Sequence, residues 1–313
     1  MSGNIYYNTR LCNGQTFLDY VKGVYDRHYF SNHHVLAAEL EKCLSQKTGM
    51  EHNITYMNSS ISVITLLHIY GINKSSRILL SPGVITYDWV INSIMYLDIP
   101  YVEYDDQETD EICSVAFLLE SDIVEFNIDA SRFERVIVLP TSFNCRLFNT
   151  KQAIIFDMSI ETEFALDSGA FVSLNEADTA HKLRWMRSSY GRTGHVEVPI
   201  NSNGRFSEIQ AARALVFLTE ENCNIDNRFV NNKVFSSISN IKFKYKLHSG
   251  VLSPGFLYIY YDVNINHKTQ DVTQLFNDKI KLTRCEKHNA LIIRLPYKFS
   301  EIEALLNCIN EYS

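Results

Sequence analysis

Arg135-Val136-Ile137-Val138-Leu139, then Gln152-Ala153-Ile154-Ile155-Phe156, then Gly169-Ala170-Phe171-Val172-Ser173-Leu174: these three apolar runs decide the fold class. Each is short and nearly continuous in its hydrophobicity, and the first two are rich in β-branched residues. A strand with one wet face alternates instead, so these runs read as strands buried on both faces. Toward the N-terminus the same kind of run recurs at Asn53–Met57, Arg77–Ser81 and Tyr101–Tyr104. Between the runs lie segments of helical spacing. Thr16–Tyr25 carries Phe17, Val21 and Val24, and Val35–Gln46 carries Leu36, Leu40 and Leu44. Val63–Tyr70, Asp88–Tyr96 and Asp178–Met186 are further helices, and Gly49 and Gly71 stand where helices stop. Strands alternating with helices predict βαβ units: an α/β fold with a mostly parallel central sheet and helices on both faces.

After about Thr219 the character changes. Phe256–Tyr261 and Ala290–Leu295 read as strands and Ser300–Tyr312 as an amphipathic helix, with polar stretches such as Asn264–Lys268 between them. This predicts a large domain over residues 1–218 and a small α+β C-terminal domain over residues 219–313.

Composition narrows the function. The chain of 313 residues is 46% hydrophobic and carries a formal net charge of −7, so it has no global basic field for nucleic acid or an anionic membrane. Its seven cysteines are scattered and never form a CxxC pair, which argues against a disulfide framework or structural zinc and for a reducing compartment. His33 and His34 are adjacent, and no third ligand accompanies them, so no metal site is read there. No run approaches the roughly 18 apolar residues of a membrane span, and the polar start, Met1–Arg10, lacks a signal peptide's apolar stretch. The expectation is a cytoplasmic protein.

An ordered series of motifs adds a family. It begins with Tyr29-Phe30-Ser31-Asn32-His33, followed by Leu36, Glu39-Leu40-Glu41 and Gly49. Met57-Asn58-Ser59-Ser60 comes next, then Pro82–Trp89 and Phe156-Asp157. The series ends with Lys182–Arg192 and Asn203-Gly204-Arg205-Phe206-Ser207-Glu208-Ile209-Gln210-Ala211-Ala212. It resembles the motif order of the DegT-type nucleotide-sugar aminotransferases and covers about Thr16 to Leu218. The resemblance implies a fold type I architecture, pyridoxal phosphate chemistry, a homodimer with sites at the interface, and a role in making amino sugars for surface polysaccharide or a glycosylated metabolite.

It also implies roles for single residues, each set beside a plainer one. Ser59 and Ser60 would cradle the cofactor phosphate at a helix N-terminus; otherwise Ser60 is that helix's cap. Asp157 would pair with the pyridine nitrogen; a strand-end aspartate is otherwise a turn or cap residue. Tyr87 would stack on the ring, with Trp89 as its competitor and core packing as the alternative. Asn203 would reach the phosphate across the dimer. Tyr29 and Arg205 would meet substrate, with Arg205 equally suited to a structural ion pair.

One element of the resemblance is absent. The family places the lysine that holds pyridoxal phosphate between the aspartate and the glycine-led strand. Here residues 158–168 contain no lysine, and they are too few for the strand and loop expected there. The family's glutamine, three residues after the aspartate, is Ile160. The connection Thr141–Thr150 is short as well, so the large domain is expected to be trimmed around residues 141–168. That lysine holds the cofactor and moves the substrate proton. Its loss leaves pyridoxal phosphate doubtful, no catalytic residue assigned, and three readings. The chain is a degenerate homologue that binds a nucleotide sugar or pairs with an active aminotransferase; or it is an enzyme using noncovalent or no cofactor in the same cleft; or it transaminates with a lysine from elsewhere.

Overall fold

The computed structural model describes residues 14–28, 35–104, 113–140, 143, 152–159, 164, 166–188 and 202–219, and beyond these the backbone of four C-terminal strands. The first part is built from α1 (Gly14–Asp26), α2 (Val35–Thr48), β1 (His52–Tyr56), α3 (Ser59–Ile69), β2 (Ile78–Leu80), α4 (Asp88–Tyr96), β3 (Tyr101–Glu103), β4 (Val115–Leu119), α5 (Glu120–Glu125), β5 (Val136–Leu139), β6 (Ala153–Asp157), β7 (Ala170–Leu174), α6 (Ala177–Arg187) and α7 (Glu208–Thr219).

The strands form one seven-stranded sheet in the order β1-β7-β6-β5-β4-β2-β3. All pairs from β6 across to β3 are parallel. β7 runs antiparallel to both neighbours, β6 and β1. The mostly parallel sheet is therefore as the apolar runs predict. β4 was not among the expected strands, yet it joins β2 to β5. The short link from Asp157 to Gly169 leaves no break in the sheet, because β7 folds straight back along β6 with Asp157 opposite Ala170.

Helices cover both faces, and the two-residue period of the strands shows how. On β1, Thr55 presents its hydroxyl to Glu41 of α2, while Tyr56 points the other way and donates to the Leu183 carbonyl of α6. Phe156 of β6 and Phe171 of β7, paired in register and stacked at 5.2 Å, share the Thr55 face. Phe143, Phe164 and Phe217 of α7 extend this aromatic layer. The residues around 141–168 that the sequence reading expects to be trimmed thus contribute Phe143 and Phe164 to the core.

One largely buried ion pair and one buried carboxylate lock distant segments. Arg187 of α6 and Glu41 of α2 form an ion pair at 4% and 13% exposure. Glu41 also accepts from the Thr55 N–H and hydroxyl, and Arg187 donates to the Thr55 carbonyl. These bonds support the pair as burial requires, although Arg187 Nε finds no partner among the described residues. Glu208, fully buried in the first turn of α7, accepts from the Leu36 and Ala37 N–H groups at 2.9 and 3.0 Å. It caps α2, where a carboxylate complements the helix dipole.

The C-terminal strands are β8 (Leu247–Ser253), β9 (Phe256–Tyr261), β10 (Leu282–Cys285) and β11 (Ala290–Arg294), in an antiparallel sheet ordered β10-β11-β9-β8. β9 and β11 answer the two expected strands; β8 and β10 are additional. The expected helix Ser300–Tyr312 lies outside the described residues.

Candidate functional site

Open parallel sheets gather functional groups outside the carboxyl ends of their strands. There the turn from β1 to α3 meets the end of β6. Asn58 takes the N-cap position with extended backbone, and its side chain accepts from the Ile61 N–H at 2.9 Å. The cap is therefore Asn58 and not Ser60, and α3 starts at Ser59, four residues before the expected Val63. The earlier start follows from that cap, since an asparagine side chain satisfies a first-turn donor.

Ser59 is buried and donates its hydroxyl to Asp157 Oδ1 at 2.6 Å. Ser159 donates its N–H to the same oxygen at 3.2 Å and its hydroxyl to Oδ2 at 2.6 Å. Asp157, the last residue of β6, thus lies under the positive end of α3 and is held by two serine hydroxyls. Ser60 is half-buried, and its hydroxyl makes no hydrogen bond among the described residues; its carbonyl accepts from Ser93 of α4.

Tyr87 follows a 3₁₀ turn, Pro82–Thr86, and precedes α4. It is 7% exposed and stands edge-on to Trp89 with ring centroids 5.5 Å apart. This places it in the core layer. The turn that carries it is fixed by a residue the sequence reading missed. Asp122, fully buried in α5, accepts from the Ser81 hydroxyl at 2.6 Å and the Gly83 N–H at 2.7 Å. Ser81 Oγ in turn accepts from the Leu119 N–H. Nothing local in Glu120-Ser121-Asp122 signals this role, because both partners come from the turn after β2.

Asn203 is exposed with a left-handed φ of 48°. Its neighbour Gly204 donates to the Arg187 carbonyl and accepts from the Met57 N–H, so this loop lies against the β1–α3 turn of the same chain. A Cβ on Gly204 would stand 2.9 Å from Ile61 Cγ2, so only glycine allows that approach. Arg205 is half-buried, and Phe206 is fully buried against Gly169. The structure therefore brings Ser59, Asp157 and the Asn203–Gly204 loop to one turn, and sets Tyr87 in the neighbouring core layer. Tyr29, His33 and His34 lie outside the described residues.

No family model matches the sequence, and no curated protein matches it. Solved structures do match. A DegT DnrJ EryC1 StrS aminotransferase from Brucella abortus is 13% identical, covering 96% of this chain and 95% of that one, with a TM-score of 0.60. NtdA from Bacillus subtilis, solved with bound cofactor PMP, is 12% identical over 96% of this chain and 81% of its own, with a TM-score of 0.66. DesI, solved in the presence of its TDP-sugar product, is 13% identical over 96% and 90%, with a TM-score of 0.66. The chain has the fold of the DegT-type sugar aminotransferases. This is the fold type I architecture, and the β1–α3 turn and the end of β6 are parts of this aminotransferase-like sheet. Among the described residues no helix is long and apolar enough to cross a membrane.

Proposed function

We propose that this chain is a degenerate homologue of the nucleotide-sugar aminotransferases, one that keeps the scaffold for binding and does not transaminate. It serves amino-sugar synthesis for surface polysaccharide, either by holding a sugar nucleotide or by pairing with an active homologue. The observation that carries this reading is the state of Asp157. Both carboxylate oxygens accept hydrogen bonds from Ser59 and Ser159. The serine assigned by resemblance to a phosphate is thus turned to a carboxylate of its own chain, and residues 158–168 contain no lysine.

These residues do not fit pyridoxal phosphate held as the resemblance implies. A covalent anchor needs an amine, and residues 158–168 supply none; the Ser59 hydroxyl, given to Asp157, is turned away from a phosphate. No chemical step through the cofactor is therefore assigned to this chain. What supports retained binding is the other half of the turn: the Ser60 hydroxyl and the first N–H groups of α3, which suit a phosphate oxygen. The exposed Asn203 tip, in the segment that the resemblance places at a dimer interface, supports assembly as a homodimer or with an active homologue.

The test is the absorbance spectrum of the purified protein after incubation with pyridoxal phosphate, followed by borohydride reduction and peptide mass spectrometry. The expected result is the spectrum of free cofactor and no pyridoxyl group on any lysine. A stoichiometric adduct on one lysine overturns the proposal.

A further inference from the structure

A cleft of about 490 Å³ opens at the amino end of the sheet, opposite to the turn described above. Its floor is the start of β5 and β6, with Val136 and Ala153, and Phe133 lies beside them. Tyr70, at the end of α3, and Arg135 form its inner wall, the guanidinium carbon 4.5 Å from the tyrosine ring centroid. Glu134 and Glu176 are exposed residues of its lining.

The charges in this cleft do not meet. Arg135 makes neither an ion pair nor a side-chain hydrogen bond among the described residues; its one such contact is with the face of Tyr70. Stacking uses the plane of a guanidinium and leaves the N–H fork at its edge for a carboxylate. Among the described residues Glu134 and Glu176 likewise have no side-chain partner, and the Tyr70 hydroxyl donates to none of them. A cation and two carboxylates therefore line one cleft without an ion pair between them. The sum of the three charges is −1, which disfavours a phosphate or any other polyanion. A molecule with an anionic and a cationic end satisfies both signs at once, and Val136, Ala153 and Phe133 in the lining give its hydrocarbon part a small apolar contact.

We propose that this cleft is a second ligand site, for a small zwitterion of the amino-acid class, with its carboxylate on Arg135 and its ammonium toward Glu176. The site is separate from the carboxyl-end turn and stands whether or not that turn binds anything.

The experiment is calorimetric titration of the full chain with L-leucine and L-phenylalanine, and with isovalerate and isoamylamine as probes carrying one charge each. Saturable binding of an amino acid is expected, with both single-charge probes weaker by about tenfold or more. Arg135→Gln and Glu176→Gln, both outside the core, are each expected to weaken it by about tenfold, while Ser60→Ala leaves it unchanged. No saturable heat with either amino acid at ~10 mM overturns the proposal. So does unchanged affinity in Arg135→Gln, or isovalerate binding as well as leucine. Should Arg135→Gln fail to fold, Glu176→Gln read against the two single-charge probes decides alone.

Discussion

The Ser59 hydroxyl lies 2.6 Å from Asp157 Oδ1, so the first residue of α3 is tied to the last residue of β6. The bond is charge-assisted and half-buried, and α3 is anchored over the sheet by it. Ser59→Ala removes this donor and leaves Ser159 on the carboxylate. A loss of about 1–2 kcal/mol in unfolding free energy is expected, measured by urea denaturation as a lower midpoint at constant slope. An unchanged midpoint would show that Asp157 finds an equal donor in solvent.

Glu208 is the stronger case, because its carboxylate is fully buried and caps a helix 172 residues away in sequence. Glu208→Ala strands two N–H groups without water and should cost about 2–4 kcal/mol. Glu208→Gln keeps one acceptor and should cost less. Equal losses in the two variants would mean that the effect is one of volume and not of capping.

Stability on the alkaline side should bear the mark of buried tyrosines. Burial pushes the Tyr70 hydroxyl up to about 12 from 10.0, helped by the nearby Glu176 and opposed by Arg135. Burial pushes the fully enclosed Tyr56 up as well. Each keeps its proton in the folded chain where the unfolded chain has lost it. Their contribution is therefore complete below pH 10 and falls as pH rises through the folded value. Denaturation midpoints should decline from about pH 10 upward, and Tyr70→Phe should make the decline shallower between 10 and about 12. A parallel decline in that variant would remove Tyr70 as a source.

The elements most legible in the sequence are those whose reason is local. Asp88–Tyr96 is a helix from end to end as its spacing predicts, and Val136–Leu139 and Ala153–Asp157 lie side by side as buried parallel strands. Val115–Leu119 escaped because five apolar residues running directly into a helix carry no period that tells strand from helix. At the site, Asp157 announces itself as a polar residue closing an apolar strand. Its partners do not: Ser59 is 98 residues away, and its reach depends on Asn58 starting α3 early. Asp122 and Glu208 are hidden for the same reason. Each looks like an ordinary first-turn acid of its own helix, yet serves a backbone from elsewhere.

The β1–α3 turn offers the sharpest test of what binding survives. An anion approaching the N-terminus of α3 finds the Ser60 hydroxyl and the dipole in its favour. It also finds Asp157, already bonded to Ser59, as a like charge one residue away from Ser60. Two unit negative charges roughly 6 Å apart repel by about 1–2 kcal/mol in a half-screened setting, so the native chain should bind inorganic phosphate and sugar nucleotides only weakly. Asp157→Asn removes that charge while its amide oxygen still accepts from Ser59. Phosphate affinity should then rise by about tenfold, and Ser60→Ala in the same background should reverse the gain. Titration of the three forms with inorganic phosphate, a TDP-sugar and pyridoxal phosphate separates the outcomes. If Asp157→Asn leaves all three ligands without heat, the turn is a structural joint and the binding half of the proposed function fails. If pyridoxal phosphate alone binds the native chain tightly, the cofactor fits this turn without a lysine after residue 157, and the proposed loss of its site does not hold.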